Sequence, residues 1–236
     1  MKKFSFPGFF PGFLLAAIVL VSCKKDDYYK DTGITSPVYK GTVMDYLHEK
    51  PLFFDTIEAI IKIAGLDEAL KKDSLTLFAP TDRSVTSLLT AFNNRLYKLG
   101  KDTIKTLEEV PAVVWRKYMS MYIFKGINLL KDYPQIDFDL LQVYGGQIYL
   151  SINNTPMNIG VTYATSGGVK YVGYRQLNLS YLREPGSLSR YNFFNVAVAS
   201  CNIQPYHAAV HVLRDSDGYF AFDPDGFLND FLAYKP

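Results

Sequence analysis

An α+β fold, helix-rich in its first half and β-rich in its second, follows from three patterns in the 236-residue chain. Up to about residue 145 the apolar residues recur at helical spacing. Beyond it they fall into short alternating runs separated by Gly, Asn and Pro. No helical stretch intervenes between those runs, which argues against a doubly wound parallel sheet.

Residues 52–64 place Phe53, Ile57, Ile60, Ile61 and Ala64 on one helical face, and Gly65 stands where that helix should end. Residues 75–78 form a short apolar strand, stopped by Pro80 and passing directly into a second helix with Thr81 or Asp82 as its N-cap. Val85, Leu88, Leu89, Phe92 and Leu96 stripe that helix, and Gly100 lies just past its end. Residues 112–124 predict a third buried helix running into a strand or turn at Lys125-Gly126. Strands are expected over 147–152, 169–182, 193–203 and 209–213. The last is closed by the polar turn Asp215-Ser216-Asp217-Gly218 and answered by residues 219–222 as a hairpin.

The first residues read as an address. Lys2 and Lys3 precede an apolar stretch that ends at Leu20-Val21-Ser22-Cys23, so residues 1–22 are expected to be a signal peptide. Its uninterrupted apolar part, 13–21, is too short to span a bilayer as a helix. The tetrapeptide ending at Cys23 resembles a bacterial lipobox, which implies acyl chains on the Cys23 thiol and amine and a membrane anchor without a spanning segment. Residues 23–40 are charged or rich in Gly, Ser and Pro, and are expected to form a solvated tether. Lys25-Asp26-Asp27 resembles the export signals of surface lipoproteins in Bacteroidetes-like bacteria. The expected place is the cell envelope, on the outer membrane.

Residues 41–236 are expected to make one domain, since about 200 residues suffice for one sizeable core and not comfortably for two. With Lys2 and Lys3 removed, 23 basic residues face 23 acidic ones. That balance offers no basic face for nucleic acid, which is not expected as a partner. Cys201 is the second of two cysteines, so once Cys23 carries lipid no internal disulfide is possible.

Little in the chain suggests bond chemistry. His48, His207 and His211 are the three histidines, and none has a second histidine or cysteine at zinc-site spacing. The Asp215–Gly218 and Asp223-Pro224-Asp225-Gly226 segments lack the remaining oxygen ligands of an EF-hand and read as turns. No nucleophile elbow, metalloprotease helix, phosphate loop or Cys-x-x-Cys occurs. No metal, cofactor or catalytic residue is therefore expected. A pair of glycosidase carboxylates is set by distance in space, so an envelope polysaccharide hydrolase stays open as the alternative.

The block Thr76-Leu77-Phe78-Ala79-Pro80-Thr81-Asp82, followed far downstream by Ala209-Val210-His211-Val212, resembles the two signature blocks of the fasciclin domain over residues 42–222. The resemblance implies a β-wedge or sandwich flanked by helices, used extracellularly for adhesion and interaction. It implies framework roles for Phe78, Pro80, Thr81 and Asp82, with a side-chain oxygen of Asp82 accepting backbone N–H groups at the corner. His211 would be a buried member of the same hydrogen-bonded frame. Two departures stand out. Tyr122-Ile123-Phe124 lacks the histidine of the Tyr-His pair linked with adhesion, and His207-Ala208 replaces the usual Asn-Gly, so animal integrin adhesion does not carry over.

Two segments look longer than the family core, near 97–111 and 154–191. The second is rich in tyrosine and arginine, the residue types that anchor interfaces. Tyr122, Tyr171, Tyr174 and Arg175 are the candidate contact residues, with 171, 173, 175, 177, 179 and 181 expected on one side of a strand. Asp55-Thr56-Ile57, Asp73-Ser74-Leu75 and Asp102-Thr103-Ile104 resemble O-glycosylation sites of the same bacterial group. The expected role is a lipid-anchored binding module that contacts an envelope protein or glycan, in adhesion or as an accessory of outer-membrane nutrient uptake.

Overall fold

The computed structural model describes residues 36–216 and 218–234. The expected signal peptide, Cys23 and most of the expected tether lie outside them, as does Asp217. Residues 37–234 belong to one compact unit.

Helix α1 (Val43–His48) begins at a reciprocal cap, in which Thr42 Oγ1 accepts the Asp45 N–H and Asp45 Oδ2 accepts the Thr42 N–H. Helix α2 (Pro51–Ile63) has proline at its first turn, where the missing N–H costs nothing. Its buried face is Phe54, Ile57, Ile60 and Ile61. Phe53 is half exposed, so the stripe enters one residue later than the sequence spacing suggested: Phe54 is the ring that packs against Tyr46 of α1. Gly65 adopts φ +64°, and the N–H groups of Gly65 and Leu66 return to the carbonyls of Lys62 and Ile61. This closing turn needs a left-handed residue, which glycine supplies without steric cost. A short helix α3 (Asp67–Lys72) follows.

Strand β1 (Leu75–Ala79) is buried along its whole length, which explains its continuous apolar run. It leads through Pro80 and Thr81 into α4 (Asp82–Lys98), whose buried residues are Val85, Leu88, Phe92 and Leu96. Helix α5 (Ala112–Met119) ends in a 3-10 turn that passes into β2 (Ile123–Lys125). The β-rich half then supplies β3 (Gln147–Leu150), β4 (Pro156–Tyr163), β5 (Arg175–Leu182), β6 (Phe193–Ile203) and β7 (Ala208–Leu213).

One mixed sheet of order β2-β1-β7-β6-β5-β4-β3 results. Its single parallel pair is β1 with β7, in a register that sets Phe78 opposite His211. The N–H of Ile152, just beyond β3, donates to the carbonyl of Ile123 in β2 (2.9 Å), so the two ends of the sheet curl toward each other. The architecture agrees with the expected α+β arrangement, helix-rich in its first half and β-rich in its second, with the segments around Phe78 and His211 side by side.

Three expectations are corrected. Residues 154–191 are not a surface insertion, because they contain β4 and β5, interior strands with Met157, Ile159, Leu177 and Leu179 buried. Strand β5 begins at Arg175 rather than 169, and Tyr171, at φ +66°, belongs to the connecting hairpin. Residues 219–222 form no answering strand, and they feed a helix, α6 (Pro224–Tyr234). Asp223 and Pro224 are a cap and a first-turn proline: Asp223 Oδ1 accepts the Asp225 N–H (3.1 Å), and the Asp223 carbonyl accepts the Phe227 N–H (3.1 Å).

Helix α6 closes the core. Phe227 packs on Phe92 of α4 and on Trp115 and Tyr118 of α5, and Phe231 adds a second contact to Phe92. The Trp115 indole N–H donates to the Leu107 carbonyl (2.9 Å), so the largest buried ring is also satisfied. Residues 97–111 are pinned to this core as well. Asn93 exchanges two hydrogen bonds with the backbone of Ile104 (3.0 Å each), and Ile104 and Val110 are buried.

Candidate binding surface

The signature residues build a frame. Phe78 is fully buried with its ring 5.0 Å from that of His211. The His211 Nδ1 accepts the Asn202 N–H (3.3 Å), and Nε2 faces the Asn128 carbonyl (3.0 Å). One partner is an obligate donor and the other an obligate acceptor, so the neutral ring with its proton on Nε2 satisfies both. Burial pushes the His211 pKa down to about 4, which keeps it neutral. Asn128 also donates its N–H to Thr76 Oγ1 (2.9 Å), and Leu130 donates to Asn202 Oδ1 (2.8 Å). His211 thus ties the loop after β2 to the irregular end of β6. Both nitrogens are engaged and the side chain has no exposed surface.

Thr81 stands at the N-cap of α4, yet its hydroxyl makes no cap bond. Asp82 is the engaged side chain: its Oδ1 accepts the N–H of Ile57 in α2 (2.9 Å). The expected acceptor role holds, and its target differs. Asp82 bridges two helices 25 residues apart in sequence rather than closing its own corner. His207 sits at φ +58° in an exposed turn while His211 is buried within β7, so the two do not face a common ligand. Among the described residues no group of three or more His, Cys, Asp or Glu side chains could hold a metal ion.

Tyr122 is corrected as a contact residue. It is 1% exposed, stacks on Phe220 and Phe222 at 5.5 and 5.2 Å, and donates its hydroxyl to the Phe220 carbonyl. Burial pushes its phenol well above the ordinary tyrosine value. Its task is to hold the segment leading into α6.

The remaining candidates meet at the tip of the β4–β5 hairpin. Tyr174 is 70% exposed, and the Arg175 guanidinium lies 5.4 Å from the Tyr163 ring centroid. Tyr171 is partly exposed, edge-on to Tyr144 at 5.4 Å, and donates its hydroxyl to Asp137 Oδ2 (2.8 Å). That hydrogen bond to a carboxylate pushes the Tyr171 pKa up to about 12. The Asp139 N–H, and then the Tyr171 hydroxyl, hold Asp137 below the ordinary carboxylate range. Beside them opens a shallow concavity of about 310 Å³, lined among others by Asp137, Asp139, Thr162, Lys170 and Tyr171. A tyrosine at φ +66° is a strained backbone held by its surroundings, a feature that concentrates at functional sites. Sequence reasoning found Tyr171 and Tyr174 and placed Tyr163 in the same tyrosine-rich segment; it missed Tyr144 and Asp137, which only folding brings beside them.

No family profile matches the sequence, and no curated protein does. Among solved structures, the FAS1 domain pair of the insect cell adhesion molecule fasciclin I is similar to this chain, with 15% identity, a TM-score of 0.47, and coverage of 73% of this chain and 49% of that one. The chain thus spans about half the length of the solved protein it matches. Among the described residues no helix is long and apolar enough to cross a membrane.

Proposed function

We propose that this chain is a fasciclin-like binding module of the bacterial cell envelope, held to the outer membrane by lipid at Cys23. It contacts a protein or glycan partner through the β4–β5 hairpin, in adhesion or as an accessory of outer-membrane nutrient uptake. The observation that carries the reading is the hairpin tip, where exposed aromatic and guanidinium groups are braced in place by Asp137, Tyr144 and Tyr163. Rigid tyrosines present large contact area at small entropic cost, and bracing them beforehand lowers that cost further.

The framework histidine supports binding over catalysis, since its two nitrogens already serve backbone partners. Of the carboxylates beside the β5–β6 loop and the start of α6, Asp223 caps α6 and Asp225 accepts from Arg95, so the hydrolase alternative gains no specific support. The test is retention of the purified domain on isolated envelopes, separated into protein and polysaccharide fractions. Wild type is expected to be retained by one fraction and the Tyr171→Ala/Tyr174→Ala variant at least ten-fold less. Equal retention of both would remove the hairpin as the contact surface. The anchor is tested separately with a fatty-acid probe, which should label wild type and leave Cys23→Ser unlabelled.

A further inference from the structure

A second site lies at the other end of β5. The β5–β6 loop and the segment entering α6 enclose a cleft of about 490 Å³, bordered by Arg183, Arg190, Phe194, Tyr219, Asp223 and Asp225. That volume falls within the usual range for small-molecule sites.

The acids of this cleft do not pair with its arginines. Asp223 spends Oδ1 on the N–H of Asp225, and Asp225 accepts from the Arg95 Nε. Neither bonds to Arg183 or Arg190. Instead, the Arg183 guanidinium carbon lies 4.6 Å from the Phe194 ring centroid, and that of Arg190 lies 4.3 Å from the Phe138 centroid. Among the described residues neither guanidinium has a hydrogen-bond acceptor or a carboxylate partner. Stacking on a ring fixes the plane of each fork and leaves its N–H edge available.

The loop that carries both arginines is braced from within. Asn192 is buried; its Oδ1 accepts the Glu184 N–H (2.7 Å), and its Nδ2 donates to the carbonyls of Glu184 (2.7 Å) and Ser187 (3.0 Å). A single side chain thus holds both ends of the turn between Arg183 and Arg190. Donors set in advance around a concavity are the arrangement that planar oxyanions reward, because two parallel N–H bonds form with little further ordering. The half-exposed ring of Tyr219 adds an apolar wall.

We propose that this cleft binds an acidic sugar, whose carboxylate or sulfate is taken by Arg183 and Arg190 while its ring lies against Tyr219. The site is lined by different residues from the hairpin tip, so the two assignments stand or fall separately.

The test is isothermal titration of the purified domain with digalacturonate, with a sulfated disaccharide and with neutral cellobiose. At least one acidic disaccharide is expected to bind, more weakly as salt is raised, and cellobiose is expected not to. Whichever acidic probe binds more tightly identifies the oxyanion. Arg183→Ala and Arg190→Ala should each weaken binding ten-fold or more without moving the melting curve, since both side chains are exposed. Arg183→Lys and Arg190→Lys keep the charge and the stem, and are expected to recover only part of the affinity. Absence of binding by both acidic probes overturns the proposal. So does equal binding of cellobiose, or affinity that either alanine substitution leaves unchanged.

Discussion

At the scale of single residues, His211 shows how a polar group in a core is made tolerable. A buried imidazole costs little when both nitrogens have partners, but it cannot accept a second proton without losing the Asn202 N–H. Its pKa falls from 6.5 to about 4 on folding, so as pH drops the unfolded chain takes up the proton first. The His211 contribution to stability is therefore complete above pH 6.5, is lost progressively between pH 6.5 and 4, and changes no further below. A shift of that size corresponds to roughly 3 kcal/mol. Urea unfolding at pH 7, 5.5 and 4 should show a shallower acid loss in His211→Asn than in wild type, the carboxylates being common to both. Parallel slopes would refute the assignment. Asp82 gives the companion prediction. Asp82→Ala leaves the Ile57 N–H without its carboxylate and should cost about 1 to 3 kcal/mol, read from the denaturant midpoint, whereas Asp82→Asn keeps an acceptor oxygen and should cost less.

Elements are set by the company each one keeps. Helix α6 carries glycine in its first turn, and its stability comes from Phe227 and Phe231 seated on Phe92, Trp115 and Tyr118. Phe227→Ala should destabilise the domain by about 3 to 5 kcal/mol, because the surrounding rings are held by other contacts and cannot fill the space. A melting temperature within error of wild type would show that α6 docks independently of the core. Strand β4 needs glycine for a different reason. At Gly160 an added Cβ would stand 2.6 Å from the Ile136 side chain, which crosses the strand there. Gly160→Ala should therefore cost about 1 to 3 kcal/mol by overpacking, measurable by the same unfolding titration.

At the level of the whole molecule, the sheet divides labour between its middle and one end. The centre, β1 with β7 and β6, is locked by Phe78, Thr76 and His211 and supplies rigidity. The hairpins that extend from β4 and β5 carry the exposed tyrosines and arginines. Of the substitutions that test binding, Tyr174→Ala, Arg183→Ala and Arg190→Ala lie outside the core and should each shift stability by about 0.5 kcal/mol or less, whereas Tyr171→Ala also loses the bond to Asp137 and should cost about 1 to 2 kcal/mol. Those in the frame should act the other way, lowering stability first. A circular-dichroism melt of each variant beside its binding measurement checks that separation.

Much of the fold could be read in advance, for identifiable reasons. Helices α2 and α4 announce themselves because a 3.6-residue stripe is followed by a glycine able to take positive φ, and β1 does so because Pro80 stops a wholly apolar run. Strand β4 was hidden because Pro156 and Gly160 interrupt its alternation. Helix α6 was hidden because Asp-Pro-Asp-Gly serves equally as a turn and as a helix start. The hairpin tyrosines were legible by residue type. Their partners were not, since Asp137 lies 34 residues from Tyr171.

The amino-acid sequence alone determined the helix-rich first half and β-rich second half, the strand-to-helix corner and the candidate lipid attachment, because periodicity, turn chemistry and leader composition are local properties of the chain. Only the tertiary structure decided that Phe78 faces His211, that Tyr122 is buried, and that Arg183 and Arg190 share a cleft whose acids are already engaged. Those facts depend on which distant residues meet when the apolar faces are buried, and burial is a property of the folded whole.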